Sequence, residues 1–243
     1  MKACVIIPAR FKSSRFPGKP LAKLNGKEMI LWVAENCCKA VDAKDLYIAT
    51  DDQRISEIVM KKGFQVILTS SDLLTGTDRV AEASKNLNYE IIVNVQGDEP
   101  LIDHRDILKA IDLKRKYPES IINSFCPIGQ NEKVENRNIP KVATTENNNL
   151  IYISRSIIPQ SKKDLSTYVF KKQVCIYAYS RIDLEKYLTY GRKSEIETIE
   201  DIEILRFFEL GINIKMYEAS KATLAVDIPS DVELVEKELR KNN

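Results

Sequence analysis

The sequence predicts a mostly parallel α/β sheet with helices on both faces, a Rossmann-like arrangement. Three observations predict it. Short continuous apolar runs alternate with helix-period segments through the first half of the chain. Polar and glycine-containing stretches follow two of these runs directly, as in "VNVQGDEP". The length of 243 residues and the hydrophobic fraction of 44% are enough for one large domain with a substantial core.

The first half contains five predicted strands separated by helices. Continuous apolar runs are typical of strands that are buried on both faces of a parallel sheet. The predicted strands are residues 3–7, 46–49, 64–68, 91–95 and 121–125, and helical spacing places helices after Met29, Asp52, Gly76 and near Ile107. Asp51 or Asp52 is expected to cap the second helix and Gly63 to end it, whereas Thr77 or Asp78 would cap the third.

The pattern changes after about residue 130. A hairpin is predicted in "PKVATTENNNLIYISRS", with residues 146–149 as its turn, followed by a strand in "KQVCIYAYS". One continuous helix is predicted in "ETIEDIEILRFFELG", with Ile199, Ile202, Leu205 and Phe207 or Phe208 on its buried face. A late strand in "NIKMYEAS" and a C-terminal helix complete the same sheet. We therefore expect a single domain over residues 1–243, with an insertion at about 130–190.

Charge and cysteine content narrow the class of protein. With 37 basic and 35 acidic residues, the net charge of +2 gives no basis for bulk attraction to nucleic acid or to a membrane. The five cysteines form no CxxC pair, which indicates free thiols in a reducing compartment. No apolar run is long enough for a signal peptide or a membrane span, so a cytoplasmic protein is expected. His104 is the single histidine, which excludes a multi-histidine metal site.

A basic loop follows the first predicted strand in "PARFKSSRFPGKPL". Its cations Arg10, Lys12, Arg15 and Lys19 are interleaved with Ser13, Ser14 and Gly18. Fixed cations, hydroxyls and glycine-permitted backbone N–H groups are suited to a polyphosphate, although no Walker sequence is present. A solvated basic loop is the alternative reading.

Two carboxylates follow apolar runs and could hold Mg²⁺. Asp98 ends the run of residues 91–95, where Gly97 would allow another group to approach the backbone. Asp227 ends a second apolar stretch in "LAVDIPSD". Magnesium usually takes one or two protein carboxylates and completes its coordination with phosphate oxygens and water. Considered alone, Asp227 is better explained by a turn or a helix cap.

Further polar residues are less specific. Gly76, Thr77 and Arg79 open a predicted helix, and Arg155 follows a predicted strand. Glu197, Glu200 and Glu203 recur every three residues, which is equally typical of a solvated helix face.

Taken together, these stretches resemble the CMP-Kdo synthetase family, the 3-deoxy-manno-octulosonate cytidylyltransferases. The matching motifs are "IIPARFKSSRFPGKPL", "NGKEMI", "ATDD", "TGTDR", "VNVQGDEP", "YISRS", "IYAY" and "VDIPSDVE", in family order from residue 5 to residue 233. The resemblance implies a nucleotidyltransferase fold and a homodimer formed through the insertion, which would also contribute to sugar binding. It also implies an enzyme that couples CTP to a 2-keto-3-deoxy sugar acid, with Mg²⁺ as cofactor and pyrophosphate as product. Such enzymes supply lipopolysaccharide or capsule biosynthesis.

The resemblance also implies site residues. The nucleotide would be bound by Pro8, Ala9, Arg10, Ser13, Arg15, Lys19, Gly76, Thr77 and Gln96. Magnesium would be held by Asp98 and Asp227, which with Arg10 and Lys19 form the catalytic group. The sugar acid would contact Arg79, Gln96, Arg155, Gln173, Tyr177, Glu200 and Glu203. No protein nucleophile is required, and no residue stands out as a general base.

Three departures from the family pattern fall in regions associated with substrate contact. Leu74 and Thr75 replace a His-Ser pair, Gln173 replaces a histidine, and Ile204 replaces the glutamine of a Glu-Gln-Leu-Arg sequence. A neutral or apolar replacement leaves sugar hydroxyls unpaired, which changes preference among related sugars. A nonulosonic acid or 8-amino-Kdo is therefore an alternative acceptor to Kdo. A catalytically inactive nucleotide-binding regulator is the alternative from another class, against which the intact Lys19, Asp98 and Asp227 argue.

Overall fold

The computed structural model of the protein describes residues 1–13, 15–129, 132–162, 168–221 and 224–241. Ser14, one of the hydroxyls of the basic loop, lies outside the described residues. The strands are β1 (Ala3–Ala9), β2 (Lys23–Leu24), β3 (Lys27–Glu28), β4 (Leu46–Thr50), β5 (Gln65–Leu68), β6 (Ile91–Val95), β7 (Ile121–Pro127), β8 (Lys141–Thr144), β9 (Leu150–Ser154), β10 (Lys171–Ser180) and β11 (Ile214–Glu218). The α-helices are α1 (Met29–Cys37), α2 (Gln53–Lys61), α3 (Gly76–Ser84), α4 (His104–Lys116), α5 (Arg181–Thr189), α6 (Glu195–Glu200), α7 (Arg206–Glu209) and α8 (Asp231–Lys241).

The central sheet is mostly parallel, as the sequence predicts. Its strand order is β11-β7-β10-β6-β1-β4-β5, and β8 and β9 form a hairpin attached to β10. The pairs β6–β1, β1–β4, β4–β5 and β7–β11 are parallel. Strand β10 runs antiparallel to both β6 and β7, so a strand from the second half of the chain lies inside the sheet.

Helices cover both faces of the sheet because the central strands are apolar on both sides. Val5 and Ile7 of β1 belong to a core cluster with residues of α1, α2 and α4. Cys4 and Ile6 belong to a second cluster with residues of α3 and α5. No helix in the described part of the chain has the length and apolar character that a membrane crossing requires.

Most predicted elements in the first half are confirmed, including the cap of α2 by Asp52 and the left-handed Gly63, with φ of +85°, after its end. The cap of α3 was predicted wrongly: it is Thr75, whose side chain accepts a hydrogen bond from the N–H of Asp78. Thr77 and Asp78 lie inside the helix.

The continuous helix predicted around residues 197–209 is also wrong. Helix α6 ends at Glu200, and its C-cap, Asp201, adopts a left-handed conformation with φ of +49°. A 3₁₀ turn, Glu203–Leu205, and the short α7 follow. Ile199, predicted on the buried face, is 75% exposed, whereas Ile202, Leu205 and Phe207 are buried. The break redirects the chain towards the start of α3.

Candidate active site

A cleft lies at the carboxyl ends of β1 and β6, where ligands bind in open parallel sheets. It consists of two adjoining cavities with volumes of about 250 and 890 Å³. The residues that line both are Arg15, Gln96, Asp98, Arg155, Asp201 and Glu203. These shared residues make the two cavities parts of one continuous site.

The smaller cavity is built around the described residues of the basic loop, 10–13 and 15–19. Pro8, Ala9, Arg10, Ser13, Arg15 and Lys19 line it, together with Gly76, Arg79 and Gln96. Gly18 has φ of +71°, and its N–H donates to the Phe11 carbonyl oxygen at 2.9 Å. This contact closes the loop and begins the 3₁₀ turn Lys19–Leu21, so that Lys19 reaches the end of β6.

Lys19 lies between the two carboxylates that the sequence singles out. Its Nζ is 2.5 Å from Asp98 Oδ2 and 4.0 Å from Asp227 Oδ1, and Arg15 Nη2 is 3.2 Å from Asp227 Oδ1. Burial and the neighbouring charge of Asp98 raise the pKa of Asp227, and Lys19 and Arg15 oppose that rise. Such a cluster of two carboxylates and two cations is suited to a divalent cation with a polyphosphate.

Two carboxylates at this point of the cleft could contribute to a divalent-cation site. Within the described ranges, no group of three or more His, Cys, Asp or Glu side chains could enclose a metal ion. A site with two carboxylates leaves the remaining coordination positions to phosphate oxygens and water, which is how Mg²⁺ is commonly bound. Asp98 and Asp227 could therefore hold a divalent cation only together with ligands that the described residues do not supply.

Gly97 lies where the chain after β6 comes close to the end of β1. A Cβ at this position would lie 3.0 Å from the carbonyl oxygen of Pro8, a backbone atom that cannot move aside easily. The close approach predicted from the sequence is therefore made by the protein's own chain. It brings Asp98 next to the basic loop.

The start of α3 is capped by a carboxylate from far along the chain. Glu203 accepts hydrogen bonds from the N–H groups of Gly76 (3.0 Å) and Thr77 (2.7 Å) and from the Thr77 hydroxyl (2.6 Å). A carboxylate is stabilised there by the helix dipole and the free N–H groups. Thr77 is 1% exposed and is not among the lining residues of the two cavities, while Glu203 lines both.

Arg79 lies on the side of the cleft that contains the basic loop. It lines the smaller cavity, with its Nη2 3.3 Å from Asp51 Oδ1 and its Nη1 donating to the Thr69 hydroxyl. Burial lowers the pKa of Arg79 and Asp51 partly offsets this. The structure thus places Arg79 with the phosphate-binding candidates, away from Gln173 and Tyr177 in the larger cavity.

The larger cavity is lined by strand β10. Gln173, Cys175 and Tyr177 face it around an irregularity in the pairing of β10 with β7. The side chain of Asn123 donates to the carbonyl oxygens of Val174 (3.0 Å) and Ile176 (2.8 Å), which satisfies the irregular backbone. Gln173 Nε2 in turn donates to Asn123 Oδ1 at 3.0 Å. Burial raises the pKa of Tyr177, which therefore stays neutral.

Arg155 is held by backbone carbonyls at the junction of the two cavities. Its guanidinium donates to the carbonyl oxygens of Glu200, Arg137 (2.9 Å) and Asp201 (2.9 Å). The Glu200 carboxylate accepts from the Ser154 hydroxyl at 2.6 Å and from the Arg155 N–H at 2.8 Å. Glu200, expected at the sugar, does not line either cavity. It supports Arg155 instead.

Sequence reasoning missed a buried ion cluster that anchors this part of the site. Arg206 is fully buried and binds Asp78 of α3 and Glu197 of α6, each at 2.7 Å. It is the arginine of the Glu-Gln-Leu-Arg-like sequence, a signal that could have identified it. Lys193 and Asp201 also line the smaller cavity, and no motif pointed to them.

Comparisons with known proteins show which family the chain belongs to. A family model for cytidylyltransferases matches residues 4–223. The 3-deoxy-manno-octulosonate cytidylyltransferase of Leptospira interrogans (serovar Lai) is 40% identical over 97% of this chain and 95% of that protein. The 8-amino-3,8-dideoxy-manno-octulosonate cytidylyltransferase of Shewanella halifaxensis is 37% identical over 98% of this chain and 99% of that protein.

Solved structures of other nucleotidyltransferases resemble this chain as well. CMP:2-keto-3-deoxy-manno-octonic acid synthetase in complex with CTP superposes with a TM-score of 0.91 at 34% identity, and the match covers 100% of both chains. A putative glucose-1-phosphate thymidylyltransferase from Bacillus anthracis, 16% identical with a TM-score of 0.71 over 99% of this chain and 96% of that one, shares the fold. The chain is therefore a nucleotidyltransferase and belongs to the cytidylyltransferase family that includes the 3-deoxy-manno-octulosonate cytidylyltransferases.

Proposed function

We propose that the protein transfers CMP from CTP to a 2-keto-3-deoxy sugar acid, Kdo or 8-amino-Kdo, and releases pyrophosphate. The observation that carries this proposal is the position of Lys19 between Asp98 and Asp227, where the basic loop meets the end of β6. This arrangement combines cations for phosphates with carboxylates for a metal at one point of the cleft.

The smaller cavity supplies the nucleotide-binding groups. Arg10, Ser13, Arg15 and Lys19 are proposed to hold the triphosphate, since all four line this cavity. Pro8, Ala9, Gly76 and Gln96 would frame the rest of the nucleotide. Thr77 would act through Glu203, because its N–H and hydroxyl are both bonded to that carboxylate.

Asp98 and Asp227 would hold Mg²⁺ together with oxygens of CTP. When bound, the ion supplies positive charge that offsets the negative charge of the phosphates and draws electrons from phosphorus. The ion pair between Lys19 and Asp98 would have to separate when Asp98 binds the metal ion. The Lys19 ammonium would then be free to bind a phosphate oxygen.

Lys19 and Arg10 would stabilise the charge that develops during transfer. The anomeric hydroxyl oxygen of the sugar acid forms a bond to the α-phosphorus, and the bond from that phosphorus to the bridging oxygen breaks. The electron pair of the broken bond leaves with pyrophosphate, and the proton of the attacking hydroxyl passes to solvent water. Positioning and electrostatics can carry such a transfer without a protein nucleophile.

The larger cavity is proposed to bind the sugar acid. Gln173 and Tyr177 line it, and Gln96, Arg155 and Glu203 line the junction with the smaller cavity. Arg79, on the nucleotide side, would contact the end of the sugar nearest CTP. The 8-amino acceptor is kept as a second candidate because one relative with 37% identity is named for it.

The cellular setting is part of the proposal. A CMP-activated ulosonic acid would supply a surface polysaccharide, in lipopolysaccharide or capsule, and CTP is available in the cytoplasm. A homodimer is proposed through the region around β9 and α6, where Ile151 is 57% and Ile199 is 75% exposed. Burial of these apolar side chains against a second copy would be favourable.

Pyrophosphate release tests the proposed function. The protein is incubated with CTP, Mg²⁺ and, in separate reactions, Kdo, 8-amino-Kdo and a nonulosonic acid. We expect turnover with one of the two octulosonic acids and a much lower kcat/KM with the nonulosonic acid. Preference for the nonulosonic acid would replace the proposed acceptor, and absence of turnover with all three would refute the function.

A further inference from the structure

Lys193 is a cation of the cleft that belongs neither to the basic loop nor to the predicted sugar contacts. It lies between α5 and α6 and lines the smaller cavity with a side chain that is 33% exposed. Its neighbour Ser194 is fully buried and forms a reciprocal cap with Glu197, at 3.0 and 3.2 Å. Because this cap fixes the backbone next to Lys193, the position of the lysine at the cleft is built into the fold.

The carboxylate of Asp201 lies between Lys193 and Arg155. Lys193 Nζ is 3.4 Å from Asp201 Oδ1, and Arg155 Nη2 is 3.8 Å from Asp201 Oδ2. Both distances exceed the roughly 2.7–2.9 Å of a strong charged hydrogen bond. The Asp201 side chain is 73% exposed. The two cations thus face a loosely held carboxylate that solvent or a ligand can replace.

Arg155 by itself is poorly placed to recognise a carboxylate. Three of its N–H groups already donate to backbone carbonyls of Glu200, Arg137 and Asp201. A guanidinium has five N–H donors, so two remain for a ligand. A second cation beside it would supply the missing charge and donors, and Lys193 is in that position.

We propose that Lys193 and Arg155 together bind the carboxylate of the sugar acid, and that Asp201 takes the place of that carboxylate in the ligand-free protein. The inference rests on the proposed function. In a 2-keto sugar acid the carboxylate is attached to the carbon that bears the reacting hydroxyl, so it must lie where the nucleotide and sugar cavities meet. Arg155 and Asp201 line both cavities.

The triphosphate is a less suitable ligand for Lys193. Four side chains of the basic loop already line the smaller cavity with phosphate-binding chemistry. The group that Lys193 faces in the structure is a carboxylate, of the same charge and size as that of the sugar acid. Binding of the substrate exchanges one carboxylate for another between the same two cations.

Variants with effects of opposite sign test the inference. Lys193→Gln removes the charge, and we expect the KM for the sugar acid to rise about tenfold, with the KM for CTP changed less than twofold. Lys193→Arg should restore most of the affinity. Asp201→Asn removes the competing carboxylate and keeps a residue that tolerates the left-handed conformation, so the KM for the sugar acid should fall two- to threefold. Lys186→Gln, at an exposed position of α5, is the matched control and should change neither KM.

The assay uses the full chain, CTP, Mg²⁺ and the ulosonic acid that the wild type turns over fastest. An unchanged sugar-acid KM in Lys193→Gln would overturn the inference, and a rise confined to the KM for CTP would assign Lys193 to the nucleotide. A higher sugar-acid KM in Asp201→Asn would also overturn it. The inference requires that removal of the competing carboxylate improves binding of the sugar acid. A wild type without turnover would instead refute the proposed function, and this inference with it.

Discussion

Replacing Arg206 should destabilise the protein strongly, because its charge is buried with two carboxylates. The guanidinium is fully buried and hydrogen-bonded to Glu197 at 2.7 and 2.7 Å and to Asp78 at 2.7 and 3.2 Å. Burial lowers the pKa of Arg206, and the hydrogen bonds to Glu197 and Asp78 more than offset this, so the pKa lies above its ordinary value. The guanidinium also lies 3.8 Å from the centre of the Tyr187 ring.

The magnitude follows from what Arg206→Met leaves behind. Methionine fills much of the volume but leaves two buried carboxylates without a cation. Removing one partner of a buried ion pair typically costs about 3–5 kcal/mol. Urea denaturation, followed by circular dichroism, measures the change. With a slope of about 3 kcal/mol per molar urea, the midpoint should fall by roughly 1–1.7 M.

Two further variants make the prediction refutable. The triple variant Arg206→Met, Asp78→Asn, Glu197→Gln should regain part of the loss, because the uncompensated charges are gone. Arg115→Met removes an exposed pair with Asp112 and should cost at most about 1 kcal/mol. A loss below about 1 kcal/mol in Arg206→Met, or a triple variant less stable than the single one, would contradict the reasoning.

Two other substitutions test the catalytic group, and a third tests the contact between β1 and the chain that follows β6. Asp98→Asn should lower kcat by roughly 100-fold or more without changing the urea midpoint; magnesium-dependent turnover close to that of the wild type would exclude the metal assignment. Lys19→Ala should lower kcat/KM for CTP by about tenfold or more and strengthen Mn²⁺ binding measured by calorimetry, because Asp98 and Asp227 lose a competing cation. If both quantities stay unchanged, Lys19 neither binds the nucleotide nor competes with a metal ion for the two carboxylates. Gly97→Ala should cost about 1–3 kcal/mol in urea denaturation because its Cβ meets the Pro8 carbonyl; an unchanged midpoint would show that the strands can separate.

The order of the elements was largely predictable because the relevant signals are local. Continuous apolar runs mark strands buried on both faces, and caps such as Asp52 act within a few residues of their own helix. The candidate metal residues were also recognisable, since Asp98 and Asp227 each follow an apolar run. The boundary errors were local too: Thr75 and Thr77 are both acceptable caps, and only the position of the helix decides between them.

The break at Asp201 could not be predicted from periodicity. The sequence from 197 to 209 has helical spacing throughout, and its local preference favours one helix. In the structure, Arg206 reaches Asp78 and Glu203 reaches the start of α3. These contacts pair Arg206 with Asp78 and provide an acceptor for the free N–H groups at the start of α3. The free energy they contribute outweighs the cost of the left-handed conformation of Asp201.

The sequence by itself determined the fold class, the two strand ends that form the site and the cations and carboxylates that stand there. Only the tertiary structure decided that β10 lies antiparallel between β6 and β7, that Glu200 supports Arg155, and that Lys193 and Asp201 face the cleft. The physical reason is the distance along the chain over which each kind of interaction acts. Hydrophobic period and capping act over a few residues. Hydrogen bonds and ion pairs such as Arg206–Asp78, which joins side chains 128 residues apart, depend instead on which surfaces the packed core brings together.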